Sequence, residues 1–438
     1  GGRCAVLAPG GATTTAALRR LEGQWDAWLF RELDAEVRLH LVSCGLAPDE
    51  VANAGAAFAR ASAALADRKL QPMRAVVRST EGWETQPFVG DAVRGACRGC
   101  GRSVAAPEGG ICPQCERDVQ MGARLPQTER LAYRRDPGGM IPVLGYSVDL
   151  VGSLESAAAS AYLVAATRFP DSEEAGPIPV RPLATHIPME DGQPVRFEQL
   201  AAGGPRGRHY LGYLKMDVDR LGALMSWGLR REAEPGVDAL PRLMALSDWL
   251  EWYFGGYVSA LAGQAEWKNT YLVFAGGDDL LAIAPWERAL ALAGRVQRAF
   301  ELLCGSNPSV TLSAGVALGK PKYPVAQMVG QAARELSIAK GNAASPGGGQ
   351  AVGRKSLGVL GDRIPWADWS RLERDVALLT DRAVPSALLH VLLECASLWD
   401  EFQIGNLAAA RFVPLLTYTA GRTIDRRRQE ELHRYVHE

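Results

Sequence analysis

No apolar run in the 438-residue chain approaches the roughly 18 residues that a membrane-crossing helix requires, and no basic, hydrophobic leader opens it. The expectation is a cytoplasmic protein with no membrane partner. Charge of one sign is also lacking: 48 basic against 49 acidic side chains leave a net charge of −1. No whole-chain field therefore draws the protein to nucleic acid, and any RNA contact must come from local patches. The basic run Arg426-Arg427-Arg428 sits among Asp425, Glu430 and Glu431 and reads as well as a solvated helix with i,i+4 pairs, so it is assigned no role. Histidine is scarce, six residues in all, and none stands at metal-ligand spacing. What is present in quantity is apolar material, 47% of the chain, enough for more than one core. The length suggests roughly three domains of about 100–200 residues each.

Of the eight cysteines, Cys4, Cys44, Cys304 and Cys395 are scattered in apolar contexts and read as small buried hydrophobes. The other four form two C-x-x-C knuckles, Cys97/Cys100 and Cys112/Cys115, separated by a glycine-containing stretch. Four thiolates at that spacing can close a tetrahedron around Zn²⁺, leaving no open position, so the metal is expected to be structural. Its binding would hold a small, core-poor insert in shape. A pair of disulfides or redox thiols is the competing reading.

The segment Tyr271–Ile283 places Gly276-Gly277-Asp278-Asp279 between two apolar runs. Each flank reads as a buried strand, and the glycines suit a tight hairpin with the two acids at its tip. Earlier, Tyr210–Asp219 is another apolar strand ending in acid, with Asp217 and Asp219 on one face by the two-residue period. If the strands pair, three or four carboxylates converge. Such a cluster suits a hard divalent cation that completes its shell with water and phosphate oxygens, and two ions would serve an in-line phosphoryl displacement. The plainer reading of Gly-Gly-Asp-Asp alone is a solvated turn.

The strand ending Lys215-Met216-Asp217-Val218-Asp219-Arg220-Leu221-Gly222, together with the Gly-Gly-Asp-Asp hairpin, resembles the cyclase palm of the large subunit of type III CRISPR effector complexes. The resemblance runs through Thr185–Pro188, Phe197–Ala201, Val310–Ala317, Lys322–Pro324 and Ala339–Gly341, and covers nearly the whole chain. Arg220 stands where the family more often has Asn. Diguanylate cyclases share this palm but carry Glu-Phe after the acidic turn, where this chain has Asp279-Leu280.

The resemblance implies an α+β fold with two ferredoxin-like palms, a zinc-binding insert and a helical C-terminal domain. It also implies that ATP is the substrate, joined 3′ to 5′ into cyclic oligoadenylates. Two Mg²⁺ or Mn²⁺ ions would be held by Asp217, Asp278, Asp279 and, less securely, Asp219, whose alternative is a helix N-cap. Asp217, Asp278 and Asp279 would then be the catalytic residues. On the nucleotide, Gly276 and Gly277 would allow close backbone approach. Ser313 could contact the nucleotide or merely pack. Lys340 could bind the triphosphate or simply complement the end of its helix. Partners implied are guide RNA, target RNA and other type III effector subunits. The family often carries a nuclease domain with a His-Asp pair. No His-Asp dipeptide occurs here, so none is expected in the chain as given.

The expected organisation is a first palm over residues 1–90, the zinc module over 91–125 and a mixed region over 126–206. The second, catalytic palm follows at 207–344, then a linker at 345–353 and a helical domain at 354–438. Within the mixed region, Ser156–Thr167 reads as a helix and Asp171–Gly176 as a polar loop. The first palm is inferred from an internal echo. Gly1–Pro9 resembles Gly276–Pro285 with Arg3 and Cys4 in place of the acids, and Val37 and Val310 each open an expected strand followed by a helix ending at Lys69 or Lys340. That copy is expected to be degenerate, and to begin part-way through its hairpin. A catalytically silent scaffold subunit and a diguanylate-cyclase-like enzyme are the rival functions.

Overall fold

A computed structural model describes residues 4–33, 35, 37–51, 55–79, 97–100, 110–151, 161–166, 180–204, 207–225, 239–341, 354–380, 384–424 and 430–437. The expected loop at Asp171–Gly176, the run Arg426–Arg428, residues Gly1–Arg3 and the linker at 345–353 lie outside these residues. The chain divides into two units, Gly1–Arg363 and Ile364–Glu438.

At the start of the first unit the described residues form helices: Ala12–Leu33, Gly55–Lys69 and Arg74–Ser79. They are tied by charge. Arg68, 5% exposed, donates from Nε to Glu22 (2.7 Å), Arg74 reaches the same carboxylate at 3.3 Å, and the Ala75 N–H donates to buried Asp26 (3.1 Å). The helix ending at Lys69 is the one expected. The strand expected from Val37 is absent, and Cys4–Pro9 is likewise outside any ladder. A strand persists only with a hydrogen-bonding neighbour, and among the described residues neither segment has one.

The middle of this unit is a five-stranded sheet: β1 (Arg130–Arg134), β2 (Ile141–Val143), β3 (Tyr146–Val151), β4 (Ala161–Ala166) and β5 (Val180–Pro182), in the order β2-β3-β1-β4-β5. Of the helix expected over Ser156–Thr167, the described residues Ala161–Ala166 form β4 instead, and the rest of that stretch lies outside the described residues. Alanine content favours helix, but Tyr162-Leu163-Val164 favours a strand, and β1 offers it an antiparallel partner with Tyr133 opposite Leu163.

A short ribbon, β6 (Met189–Glu190) and β7 (Gln193–Pro194), leads to the helix Phe197–Ala202 and then to the palm. Its strands are β8 (Leu211–Val218), β9 (Tyr271–Gly276), β10 (Asp279–Pro285) and β11 (Leu312–Gly319). They are connected as strand, helix, hairpin, helix, strand, helix, as expected, and β8 lies between β11 and β10. The first helical connection runs Ala239–Glu251, passes through a π-helical turn at Trp252–Tyr257 and ends at Val258–Ala262. The others are Trp286–Leu303 and Val325–Ala339.

Glycines set how closely helix meets sheet. A Cβ on Gly212 would lie 2.5 Å from Cβ of Ala289, whereas one on Gly315 would lie 2.2 Å from the backbone nitrogen of Leu336. The Trp286–Leu303 and Val325–Ala339 helices therefore cover opposite faces of the sheet. Lys215 is registered against Gly315, which puts Lys215, and Asp217 two residues on, on the Val325–Ala339 side. Leu200, Tyr213, Ile283, Ala317, Met328 and Ala332 form the core on that side.

β12 (Ser356–Val359) adds parallel to β11, and β13 (Asp362–Pro365) lies beyond it. The helical unit thus begins at Ile364, not at 354. The chain first satisfies the open edge of β11 before leaving the sheet. A buried carboxylate fastens this addition. Asp219, 3% exposed, accepts from Thr311 Oγ1 (2.7 Å), Ser313 Oγ (2.8 Å) and the Lys355 N–H (3.2 Å).

The second unit contains the helices Trp366–Leu379, Ser386–Gln403, Phe412–Thr423 and Glu430–His437. Leu388, Ala420, Ile424, Leu432 and Val436 form its core. Among the described residues, no helix of the chain is long and apolar enough to cross a membrane.

Two substitutions test this packing. Gly315→Ala drives a methyl group into helix backbone and is expected to cost about 2–4 kcal/mol. Asp219→Ala strands three donors and is expected to cost about 2–4 kcal/mol. Denaturant midpoints of the purified chain measure both, and a midpoint equal to the unsubstituted protein's would contradict the account given for that site.

Candidate active site and metal centre

The hairpin at the end of β9 turns through Gly277 and Asp278, with Gly276 paired to Asp279 across it. Gly277 has φ +62°, the left-handed value required at the first central position of a II′ turn. Gly276 does not share it, so one glycine rather than two is needed for the turn. The Asp278 carbonyl accepts from the Val218 N–H at 3.0 Å, locking the turn against the end of β8. Asp279 is registered directly opposite Asp217, and Ser313 stands opposite Asp217 from the other side. The two separate acidic segments therefore meet, with α-carbons about 4.5–5.5 Å apart as in any antiparallel pair.

This juxtaposition has an electrostatic cost. Burial, and then the charge of Asp278, push the Asp279 carboxyl above the usual carboxylate range, while Lys215 pulls it back. Asp217 is answered directly: Lys340 Nζ forms an ion pair with its Oδ2, and the two side chains are only 12% and 28% exposed. Lys340 caps the C-terminal end of the Val325–Ala339 helix, which delivers its ammonium to the acidic face. Burial, with Arg354 and Lys215 nearby, pushes that ammonium down to about 8, and contact with Asp217 favours the charged form.

Two expected residues are differently employed. β8 ends at Val218, and Arg220 takes a left-handed turn at φ +53°, so Asp219 no longer follows the strand alternation that would align it with Asp217. Its carboxylate is committed to Thr311, Ser313 and Lys355, which removes it from the metal ligands and equally from an N-cap role. Ser313 is fully buried and donates to Asp219, so it has no access to a nucleotide. Conversely, sequence reasoning passed over Lys215. The signal was available, since Lys215 precedes Asp217 by the two-residue period that puts both on one face.

The four cysteines meet as expected. Their sulfurs all lie within 4.8 Å of one another, and Cys100 Sγ is 3.9 Å from Cys112 Sγ. Zn–S bonds of about 2.3 Å imply tetrahedral edges near 3.8 Å, so the set fits a metal ion. The N–H groups of Cys112 (3.0 Å) and Gly99 (3.3 Å) donate to Cys97 Sγ. Backbone bonds from Cys100 first, then Cys112, lower the Cys97 thiol to about 6, while burial raises Cys115 to about 12. All eight cysteines are free of disulfides. Among the described residues this is the one group of three or more candidate ligands so gathered. Asp217, Asp278 and Asp279 are not among the groups so gathered.

Residues 210–345 match the family described as Cas10/Cmr2, second palm domain. The Thermococcus onnurineus protein named CRISPR system single-strand-specific deoxyribonuclease Cas10/Csm1 (subtype III-A) is 26% identical over 78% of the chain and 46% of its own length. Among solved structures, the Csm1-Csm4 subcomplex of the type III-A CRISPR-Csm interference complex superposes with a TM-score of 0.68 at 20% identity, over 92% of this chain and 55% of that one. The Csm1-Csm4 cassette in complex with cA4 and with one ATP each give 0.66, at 18% and 19% identity over 93% and 92% of this chain and 55% of theirs. This chain spans about half the length of these relatives. The α+β plan of two palms with a helical domain is thereby borne out as a fold, although the described residues of 1–90 supply helices only. With its Gly-Gly-Asp-Asp hairpin set against an acidic strand, the stretch 210–345 matches a Cas10/Cmr2 second palm, and the chain is similar to the large subunit of type III CRISPR effector complexes.

Proposed function

We propose that this palm joins ATP into cyclic oligoadenylates, as part of an effector assembly containing guide RNA and other type III subunits and activated by target RNA. The observation that carries the proposal is the pairing of Asp217 with Asp279 beside a glycine turn bearing Asp278. Hard oxygen donors from two strands and a turn suit magnesium or manganese. Asp217, Asp278 and Asp279 would hold two such ions, which supply activation of the attacking 3′-hydroxyl and neutralisation of the leaving phosphate.

In each joining step the 3′-oxygen bonds to the α-phosphorus of a second ATP, the bond from that phosphorus to the bridging oxygen breaks, pyrophosphate leaves and the hydroxyl proton passes to solvent. No side chain acts as nucleophile. Gly277 leaves the turn open, since a Cβ there would meet nothing within 4 Å, and Gly276 would meet only the ring edge of Phe274 at 3.9 Å. A nucleotide can thus lie against the backbone. Lys340, now paired with Asp217, would be free to bind the triphosphate if a metal ion became the counter-charge of Asp217. The four-cysteine centre, read as structural zinc, stands apart from this chemistry.

Asp278→Ala with Asp279→Ala is expected to abolish synthesis in the assembled complex supplied with ATP, Mg²⁺ and matching RNA, and to leave assembly intact. Nucleotide products separated by chromatography give the readout, and retained synthesis would remove the acidic hairpin from the mechanism. Lack of product from the unsubstituted complex would favour a scaffold role, and GTP consumption without RNA would favour a diguanylate cyclase. Cys97→Ser with Cys100→Ser is expected to release one equivalent of zinc and lower the melting temperature. Elemental analysis of both proteins decides that point, an unchanged metal content being contrary to the proposal.

A further inference from the structure

One dipeptide ties together the two segments from which the Asp217–Lys340 ion pair arises. Lys355, at the entry to β12, donates its N–H to Asp219 Oδ2 and to Ser313 Oγ, both at 3.2 Å, and so holds the chain just beyond Asp217. Ser356, the next residue, is fully buried and donates its hydroxyl to the Ala339 carbonyl at 2.6 Å. That carbonyl belongs to the peptide group leading into Lys340. It stands at the end of the Val325–Ala339 helix, where carbonyls have no partner within the helix itself.

The direction of the hydroxyl is set from its other side. Arg363 Nε, on β13, donates to Ser356 Oγ at 3.0 Å. Because a guanidinium only donates, Ser356 accepts from it, and its single proton is left to point at Ala339. Bonds linked in this way strengthen one another in a buried setting. One turn earlier the same helix is held again. The Gly361 N–H donates to both oxygens of the Glu335 carboxylate, at 3.2 and 3.1 Å, and a Cβ on Gly358 would lie 2.1 Å from the Glu335 carbonyl oxygen. β12 and β13 thus grip the last turn of the helix at Glu335 and Ala339, which share one face.

We infer that Ser356, oriented by Arg363, is a positioning residue for Lys340: it fixes the peptide group from which that side chain departs, so that the ammonium meets Asp217. A lysine side chain has many rotamers to lose, and it finds one carboxylate reproducibly only from a fixed origin. Ser356 itself touches neither nucleotide nor metal in this account. The ion pair it serves belongs to the structure as it stands; only the consequence for synthesis rests on the nucleotide-joining proposal.

Covalent labelling of lysine amines in the purified chain without added Mg²⁺, quantified residue by residue by mass spectrometry, tests the positioning apart from turnover. Asp217→Asn removes the charged partner and sets the full rise in Lys340 labelling. Ser356→Ala is expected to raise Lys340 labelling by about threefold or more, to leave exposed Lys320 and Lys322 unchanged, and to add nothing in the Asp217→Asn background. Ser356→Thr, which keeps the hydroxyl, is expected to restore the unsubstituted rate. Arg363→Met, at a half-buried position where folding is less at stake, is expected to give a smaller rise of the same kind. An unchanged Lys340 rate in both Ser356→Ala and Arg363→Met would overturn the inference, as would a rise shared by Lys320 and Lys322 or one that persists in the Asp217→Asn background. In the assembled complex Ser356→Ala is expected to lower oligoadenylate synthesis by about tenfold, and full synthesis there would overturn the role in the reaction. If the unsubstituted complex made no oligoadenylate while labelling responded as stated, the positioning would stand and the proposed reaction would fall.

Discussion

Two carboxylates that face each other across a β-ladder repel, and the second palm is organised around compensating that repulsion. Asp217 and Asp279 cannot separate, because the register of β8 and β10 is fixed by a continuous run of backbone pairs from Asp279/Asp217 to Pro285/Leu211. At an effective dielectric near 20, two such charges about 5 Å apart cost about 3 kcal/mol. Lys340 offsets part of this by pairing with Asp217, and burial leaves Asp279 holding its proton more tightly than an exposed aspartate. The arrangement is thereby tolerable as it stands.

Nearby, a third aspartate has the opposite fate. Asp219 is more deeply buried than Asp217, but it accepts from three donors, at the start of β11 (Thr311, Ser313) and at the entry to β12 (Lys355). One carboxylate is a structural acceptor and the other is held by a single ammonium, although only Val218 separates them in the chain. The difference lies in partners. A buried charge whose oxygens are satisfied by hydroxyl and backbone donors binds strands together, whereas one answered by a single flexible ammonium can exchange that partner for a cation.

The palm was legible because its signals are strong and local: apolar runs of strand length, a glycine turn between them, and helices with 3.6-residue spacing. The pairing of Asp217 with Asp279 followed from those signals. The fate of Asp219 and Ser313 did not, since it depends on where β8 stops and on Lys355, far along the chain. β4 was misread because alanine-rich composition favours helix until a neighbouring strand offers hydrogen bonds. The strand at Val37 failed for the converse reason, lacking a neighbour among the described residues. The return of β12 to the sheet lies beyond a glycine-rich stretch that reads as a boundary, and no local pattern announces a parallel pairing.

The glycines at 315 and 358 let the Val325–Ala339 helix rest on bare main chain, where even a methyl group would collide with it. Interlocked so tightly, helix and sheet behave as one solid piece, as close-packed interiors do. Sliding of the helix is therefore closed to this palm as a way of moving its terminal ammonium. Whatever exchange of partners Lys340 undergoes must be accomplished by rotation about its own side-chain bonds, a nanosecond event that leaves the scaffold still.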